Sequence, residues 1–180
     1  MPVKKRDERF VERIRENTRN AFDKVGEKMT QLHIGLLEGK VLDIGFAQTP
    51  DKLKRYTGGD LYGVDIQDAP KPEWYKEVKK ANMNTEKIPY EDASFDTVFC
   101  GDLILHVTNP IQLLSECNRV LKLGGKLVMW AENPHYYWNV VITLFLHHFK
   151  FDSDQHLCSF SRYNIRTILR KTGFKLEKEI

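Results

Sequence analysis

Cysteine is scarce in this sequence: Cys100, Cys117 and Cys158 are spread through 180 residues. Their spacing fits no metal motif, and the odd number argues against a disulfide framework. All three lie in apolar surroundings, which fits buried free thiols in a reducing compartment. No metal site is expected. Charge of one sign is also in short supply, with a net charge of +3. That excess is too small to make nucleic acid or an anionic membrane a general partner. Long hydrophobic runs are missing too. The longest, near 137–149, falls short of the roughly 20 residues of a spanning helix. The basic start of the chain leads into a mixed-charge segment instead of an apolar signal core. The expectation is a soluble, cytoplasmic protein without a transmembrane segment.

What is present is ordinary for a globular chain, 41% hydrophobic and 29% charged, and long enough for a real core. Val11, Ile14, Thr18, Phe22, Val25 and Met29 recur at helical steps and predict a helix over 7–32. It would cover a sheet face or roof a pocket. Downstream, strands and helices alternate. Strands are predicted at Lys40–Ile44, Leu61–Ile66, Tyr75–Asn82, Ser94–Gly101 and Gly125–Glu132. Thr49-Pro50 and Asn109-Pro110 both read as helix starts, with Pro at the first helical position. Gly58-Gly59 and Gly124-Gly125 read as the stops of those two helices. Ser161 caps a last helix closed by Gly173, and Phe174–Ile180 reads as a sixth strand. Such alternation implies an α/β fold with a doubly wound, mostly parallel sheet.

In such sheets ligands sit at the carboxyl ends of the strands. Val41-Leu42-Asp43-Ile44-Gly45 is a short strand that ends in an acid and a tight turn. Asp65 follows Gly45 at the distance where a carboxylate reaches ribose hydroxyls. The dinucleotide fingerprint Gly-x-Gly-x-x-Gly is absent, because Ala47 stands where a second glycine would be. Asp43 would also repel a pyrophosphate. A nicotinamide-dependent oxidoreductase is therefore disfavoured. An acid there suits a ligand with positive charge, and S-adenosylmethionine carries an amino group and a sulfonium.

From these residues the chain resembles the class I S-adenosylmethionine-dependent methyltransferases, over roughly 38–132 and more loosely to 180. Lys87-Ile88-Pro89-Tyr90, Ser94-Phe95-Asp96, His106-Val107, Glu116, Arg119-Val120-Leu121-Lys122 and Gly124-Gly125 reproduce one subgroup's pattern in order and spacing. The resemblance implies a Rossmann-like methyltransferase fold whose C-terminal antiparallel hairpin is truncated. It also implies S-adenosyl-L-methionine as cofactor. Asp43 and Gly45, with the backbone of Phe46 and Ala47, would hold the methionine part. Asp65 would bind the ribose and Ile66 the adenine, with Asn82 and Met83 facing the adenine edge. Gly101, Asp102 and Leu103 would form the wall after strand four. The family's second and third loop glycines are here Ala47 and Thr49.

The chain is read as one domain over 1–180. It has a helical segment at 1–36, a cofactor-binding core at 38–132, a lid or substrate segment at 133–160 and a closing helix and strand at 161–180. His106 and His135 are the candidate catalytic bases, since His titrates in the useful range. A structural role for His106 at the start of the helix region stands beside that reading. The aromatic run after His135, through Trp138, offers either a stacking surface for substrate or a lid folded on the core. The apolar stretch from Trp138 to Phe149 fits a buried lid helix or a homodimer contact better than a membrane face. Two functions compete. One is methyl transfer to a small-molecule or glycan acceptor. The other is a catalytically weak or inactive methyltransferase-like protein that serves as a binding or scaffold partner.

Overall fold

The computed structural model describes residues 27–131, 157–158 and 160–179. The chain forms two compact units, Met1–Leu36 and Leu37–Ile180. In the first, residues 27–34 are helical (α1), and the backbone turns out of the helix through Gly35 N–H to the Gln31 carbonyl. The remainder of the helix expected over 7–32 lies outside the described residues.

The second unit is built on five parallel strands: β1 (Val41–Ile44), β2 (Leu61–Asp65), β3 (Tyr75–Lys80), β4 (Phe95–Gly101) and β5 (Leu121–Trp130). Their order is β3-β2-β1-β4-β5. The order reverses between β1 and β4, so their carboxyl ends open a crevice at the switch point. β1 is buried along its whole length, as expected of a central strand covered on both faces.

Side chains alternate across the sheet with period two. Leu42, Ile44, Val98 and Cys100 face the core shared with Leu113, Cys117 and Val120 of helix α2 (Pro110–Val120). A helix near the C-terminus, α3 (Arg162–Lys171), adds Leu169 to a second cluster with Ile104, Leu105 and Leu114. The register pairs Asp43 with Gly63 on one side and Phe99 on the other. These three therefore share the opposite face.

The expected caps at Asn109 and Ser161 are present, each side chain accepting from the backbone N–H three residues on. Thr49 makes no such cap, and the turn after it is a short 3-10 helix, Pro50–Leu53, that ends well before Gly58. Two further expectations need correction. α2 stops at Val120 instead of running to Gly124, because Leu121 is already extended and pairs with Phe95. The Gly124-Gly125 pair falls in β5, where the register slips between Phe95 and Thr97. The sixth strand is absent over 174–179. There the Phe174 N–H closes α3 on the Leu169 carbonyl, and Glu179 turns back to pair with Arg162 and Arg166.

The subgroup pattern noted in the sequence turns out to be a clamp. Arg119 of α2 donates to Glu116, to Asp92 and to the carbonyls of Ile88 and Tyr90. Glu116 in turn accepts from Ile88 N–H at 2.9 Å. Asp96 takes Lys40 N–H and the Lys122 ammonium. These residues pin the 87–92 loop to α2 and the start of β4 to β1.

Candidate functional site

β1 delivers Asp43 to the crevice, where it is 3% exposed. The Tyr75 phenol donates to Asp43 Oδ2 at 2.6 Å. Burial pushes the Asp43 carboxyl up to about 6. The Tyr75 hydrogen bond and the Lys52 charge pull it back, while Asp65 adds to the push. A carboxyl poised in this way gains most from a positive neighbour, since a cation favours its charged form.

After Asp43 the chain must turn sharply, and Gly45 does so at φ 86°, in the left-handed region. Its N–H stays on the sheet, donating to the Val64 carbonyl at 2.8 Å. A side chain at Gly45 would meet Leu103 Cδ1 at 3.6 Å, so the loops after β1 and β4 face each other there. The Phe46 ring packs into the body of the unit. It lies against Tyr75 at 5.3 Å between centroids and directly over Gly63.

β2 ends on Asp65, also buried. Its Oδ2 accepts from Ala47 N–H at 3.0 Å and its Oδ1 from Gln67 N–H at 2.8 Å. One carboxylate thus ties the glycine-poor loop to the end of β2. Each oxygen keeps a further lone pair, as a carboxylate offers about four acceptor sites. Beside it Ile66 is 53% exposed, an apolar surface next to an acceptor.

The second wall comes from β4 and β5. Gly101 pairs with Trp130. Asp102 follows in the left-handed region at φ 60°, ψ −1°, its N–H donating to the Trp130 carbonyl at 2.9 Å. Asp102 Oδ1 and Trp130 Nε1 are both buried, and neither has a hydrogen-bond partner among the described residues. Buried polar atoms without partners are costly, and here two converge on one crevice. The Lys52 ammonium reaches the same place, 5.1 Å from the Phe99 ring and 4.8 Å from the Trp130 ring. Leu103 opens a 3-10 turn, Leu103–Leu105, whose last carbonyl accepts from Leu157 and Cys158 N–H.

The remaining expected site residues that the structure describes have their own partners within the fold. Met83 is buried in the core that includes Ile88 and Val64. Asn82 gives its side-chain carbonyl to Asn84 N–H at 3.0 Å and its own N–H to Glu86, closing the turn after β3. His106 ends the 3-10 turn with its N–H on the Leu103 carbonyl at 2.9 Å. His135, with most of the 133–160 segment, lies outside the described residues. Cys100 and Cys117 are buried, and burial pushes the Cys100 thiol up to about 12. Tyr75, Lys52 and Trp130 lie against Asp43 and Gly101, and the sequence reading singled out none of them. Only Trp130 carried a signal, its place at the carboxyl end of a strand.

Residues 42–129 match the family model of the methyltransferase domain. The ubiquinone biosynthesis O-methyltransferase of Acinetobacter baylyi is 29% identical over 124 residues, covering 61% of this chain and 52% of that protein. The demethylmenaquinone methyltransferase of Staphylococcus aureus is 31% identical over 116 residues, covering 58% and 48%. The chain thus spans about half the length of these curated relatives. Among solved structures, a methyltransferase of Thermotoga maritima superposes with a TM-score of 0.62 at 20% identity, covering 94% of this chain and 80% of the other. One from Aquifex aeolicus gives 0.58 at 22% identity, covering 85% and 81%. These two likenesses establish the fold. With the family match, residues 42–129 resemble a methyltransferase domain on the fold shared with these methyltransferases.

Proposed function

We propose that this chain binds S-adenosylmethionine across the carboxyl ends of β1, β2 and β4 and passes its methyl group to an oxygen or nitrogen of a small-molecule or glycan acceptor. The observation that carries this reading is the pair of buried acids, Asp43 and Asp65, on either side of the Gly45 turn. The residues present fit the cofactor chemically. Asp43 and the unpartnered Asp102 Oδ1 offer negative charge to a cationic amino acid moiety. Asp65 keeps lone pairs for ribose hydroxyls, and Ile66 leaves an apolar face for adenine.

When bound, the cofactor supplies a methyl group activated by a positively charged sulfur. The chain's own task is alignment and exclusion of water, which in-line displacement needs most. Asp43, Gly45 and the backbone of Phe46 and Ala47 hold the methionine part. Gly101, Asp102 and Leu103 close the wall behind it. His106, on the turn after β4, is the candidate to take an acceptor proton where one must leave early. Quinone-ring phenols are the first acceptors to try, because relatives bear the names ubiquinone biosynthesis O-methyltransferase and demethylmenaquinone methyltransferase.

Titration calorimetry with S-adenosylmethionine tests the binding step. Saturable heat is expected, and its absence at millimolar ligand overturns the proposal. Methyl transfer is then read by mass spectrometry on a panel of phenols, amines and sugars. Binding without turnover on the whole panel supports the catalytically inactive binding protein instead.

A further inference from the structure

We infer that Lys52 occupies the cation place of this pocket and competes with S-adenosylmethionine for it. The inference rests on the proposed cofactor reading and adds a residue that limits affinity.

The argument begins at the short turn Pro50–Leu53. Pro50 fixes the entry, and Lys52 N–H donates to the Thr49 carbonyl at 3.0 Å, so the stem leaves the turn in a set direction. The ammonium then lies over two ring faces, 5.1 Å from Phe99 and 4.8 Å from Trp130. Both distances are inside the range of about 6 Å at which a cation is attracted to an aromatic ring. Gly101 makes room for it. A Cβ there would stand 2.7 Å from Lys52 Nζ, 2.8 Å from Trp130 Nε1 and 3.1 Å from Phe99 Cε1.

Burial is the largest influence on Lys52 and lowers its pKa, while the carboxylates of Asp43 and Asp102 complete the setting by favouring its charged form. Rings and acids around one ammonium make a receptor for a desolvated cation. The amino and sulfonium groups of S-adenosylmethionine have the same sign of charge and call for the same surroundings. Two cations in one poorly solvated pocket repel, so cofactor binding must displace the lysine tip. Its stem is four flexible carbons, and that displacement needs no backbone movement.

Lys52→Met keeps the apolar stem and removes the charge. Affinity for S-adenosylmethionine, measured by calorimetry at pH 8.5 so that Asp43 is ionised with or without Lys52, should rise about tenfold, the weight of one desolvated cation–π contact. Affinity for 5′-methylthioadenosine, which has a neutral thioether and no amino acid part, should not change. Lys52→Arg retains the charge and should bind S-adenosylmethionine no better than the unaltered chain. Urea midpoints of all three proteins confirm that they fold. Equal or weaker S-adenosylmethionine binding by Lys52→Met overturns the inference and leaves the cofactor reading intact. An equal gain in Lys52→Arg, or for methylthioadenosine, also overturns it, because charge is then not the cause. If no protein in the set binds either compound, the cofactor reading fails and this inference falls with it.

Discussion

Tyr75 reaches from β3 past β2 to place its phenol 2.6 Å from Asp43 Oδ2, both groups buried. The phenol donates to the ionised acid and is the first influence opposing the desolvation that raises it. Tyr75→Phe removes that donor without leaving a polar atom behind. The Asp43 carboxyl then rises further above 6, and more of it is neutral at pH 7. A hydrogen bond to a charged group is worth about 1.5–3 kcal/mol, so S-adenosylmethionine affinity at pH 6.5 should fall about tenfold or more. Most of it should return at pH 8.5. Calorimetry at the two pH values checks this, and an equal deficit at both would contradict it.

The same carboxyl sets a pH dependence of folding. Its value is 3.8 when unfolded and about 6 when folded. Between these values the folded chain binds the extra proton. This group's contribution is therefore full below pH 3.8 and is lost as pH rises through 6. A gap of two units corresponds to about 3 kcal/mol. Urea unfolding of the natural chain and of Asp43→Asn should diverge over that window, the natural chain losing ground as pH rises from 4 to 7. Parallel profiles would show that Asp43 does not titrate there.

The parallel sheet was legible because most of its strands are apolar runs and Gly58-Gly59 and Asn109-Pro110 mark the entries to β2 and α2, whereas Gly124-Gly125 misled by falling inside β5. The positions of Asp43, Gly45 and Asp65 were legible because an acid at a strand end followed by a tight turn has a local signature, and the structure buries both acids beside that turn. Position alone put Met83 beside adenine, and its side chain is buried in the core with Ile88. Lys52 and Tyr75 were invisible for the opposite reason. Their roles depend on where a long side chain ends, over Trp130 or against Asp43, and no local pattern encodes that reach. The sixth strand failed because alternation over 174–179 has no neighbour to pair with among the described residues. Glu179 instead pairs with Arg162 and Arg166 of α3.

The Arg119 clamp makes a prediction separate from the pocket. Arg119 holds Glu116 below the usual carboxylate range by hydrogen bonding, and its other donors tie down the Ile88 and Tyr90 carbonyls. Arg119→Met leaves Glu116 and both carbonyls short of partners and should cost about 2 kcal/mol in urea unfolding. Glu116 gives the clamp a further mark. With its value lowered on folding, its contribution is present above the unfolded value of 4.5 and is lost as pH falls. The penalty of the substitution should therefore shrink in acid, while S-adenosylmethionine affinity measured in the folded variant stays within about twofold. A pH-independent penalty would place the stabilisation elsewhere.

Under the proposed cofactor reading Asp65 joins fold and function most directly, because the side chain that holds the loop would also meet the ribose. Its two oxygens accept from Ala47 and Gln67 N–H. Asp65→Asn can satisfy only one of these, since the new amide presents donors to the other. One partly buried N–H then loses its partner, at a cost of about 1 kcal/mol. The loop carrying Gly45 and Ala47 loses its tether, and the ribose loses its charged acceptor. S-adenosylmethionine affinity should fall about a hundredfold, more than the stability loss alone would give. Affinity for free methionine, which lacks the ribose, should drop only by the share due to the loop. Equal losses for both ligands would mean that Asp65 acts through the loop alone.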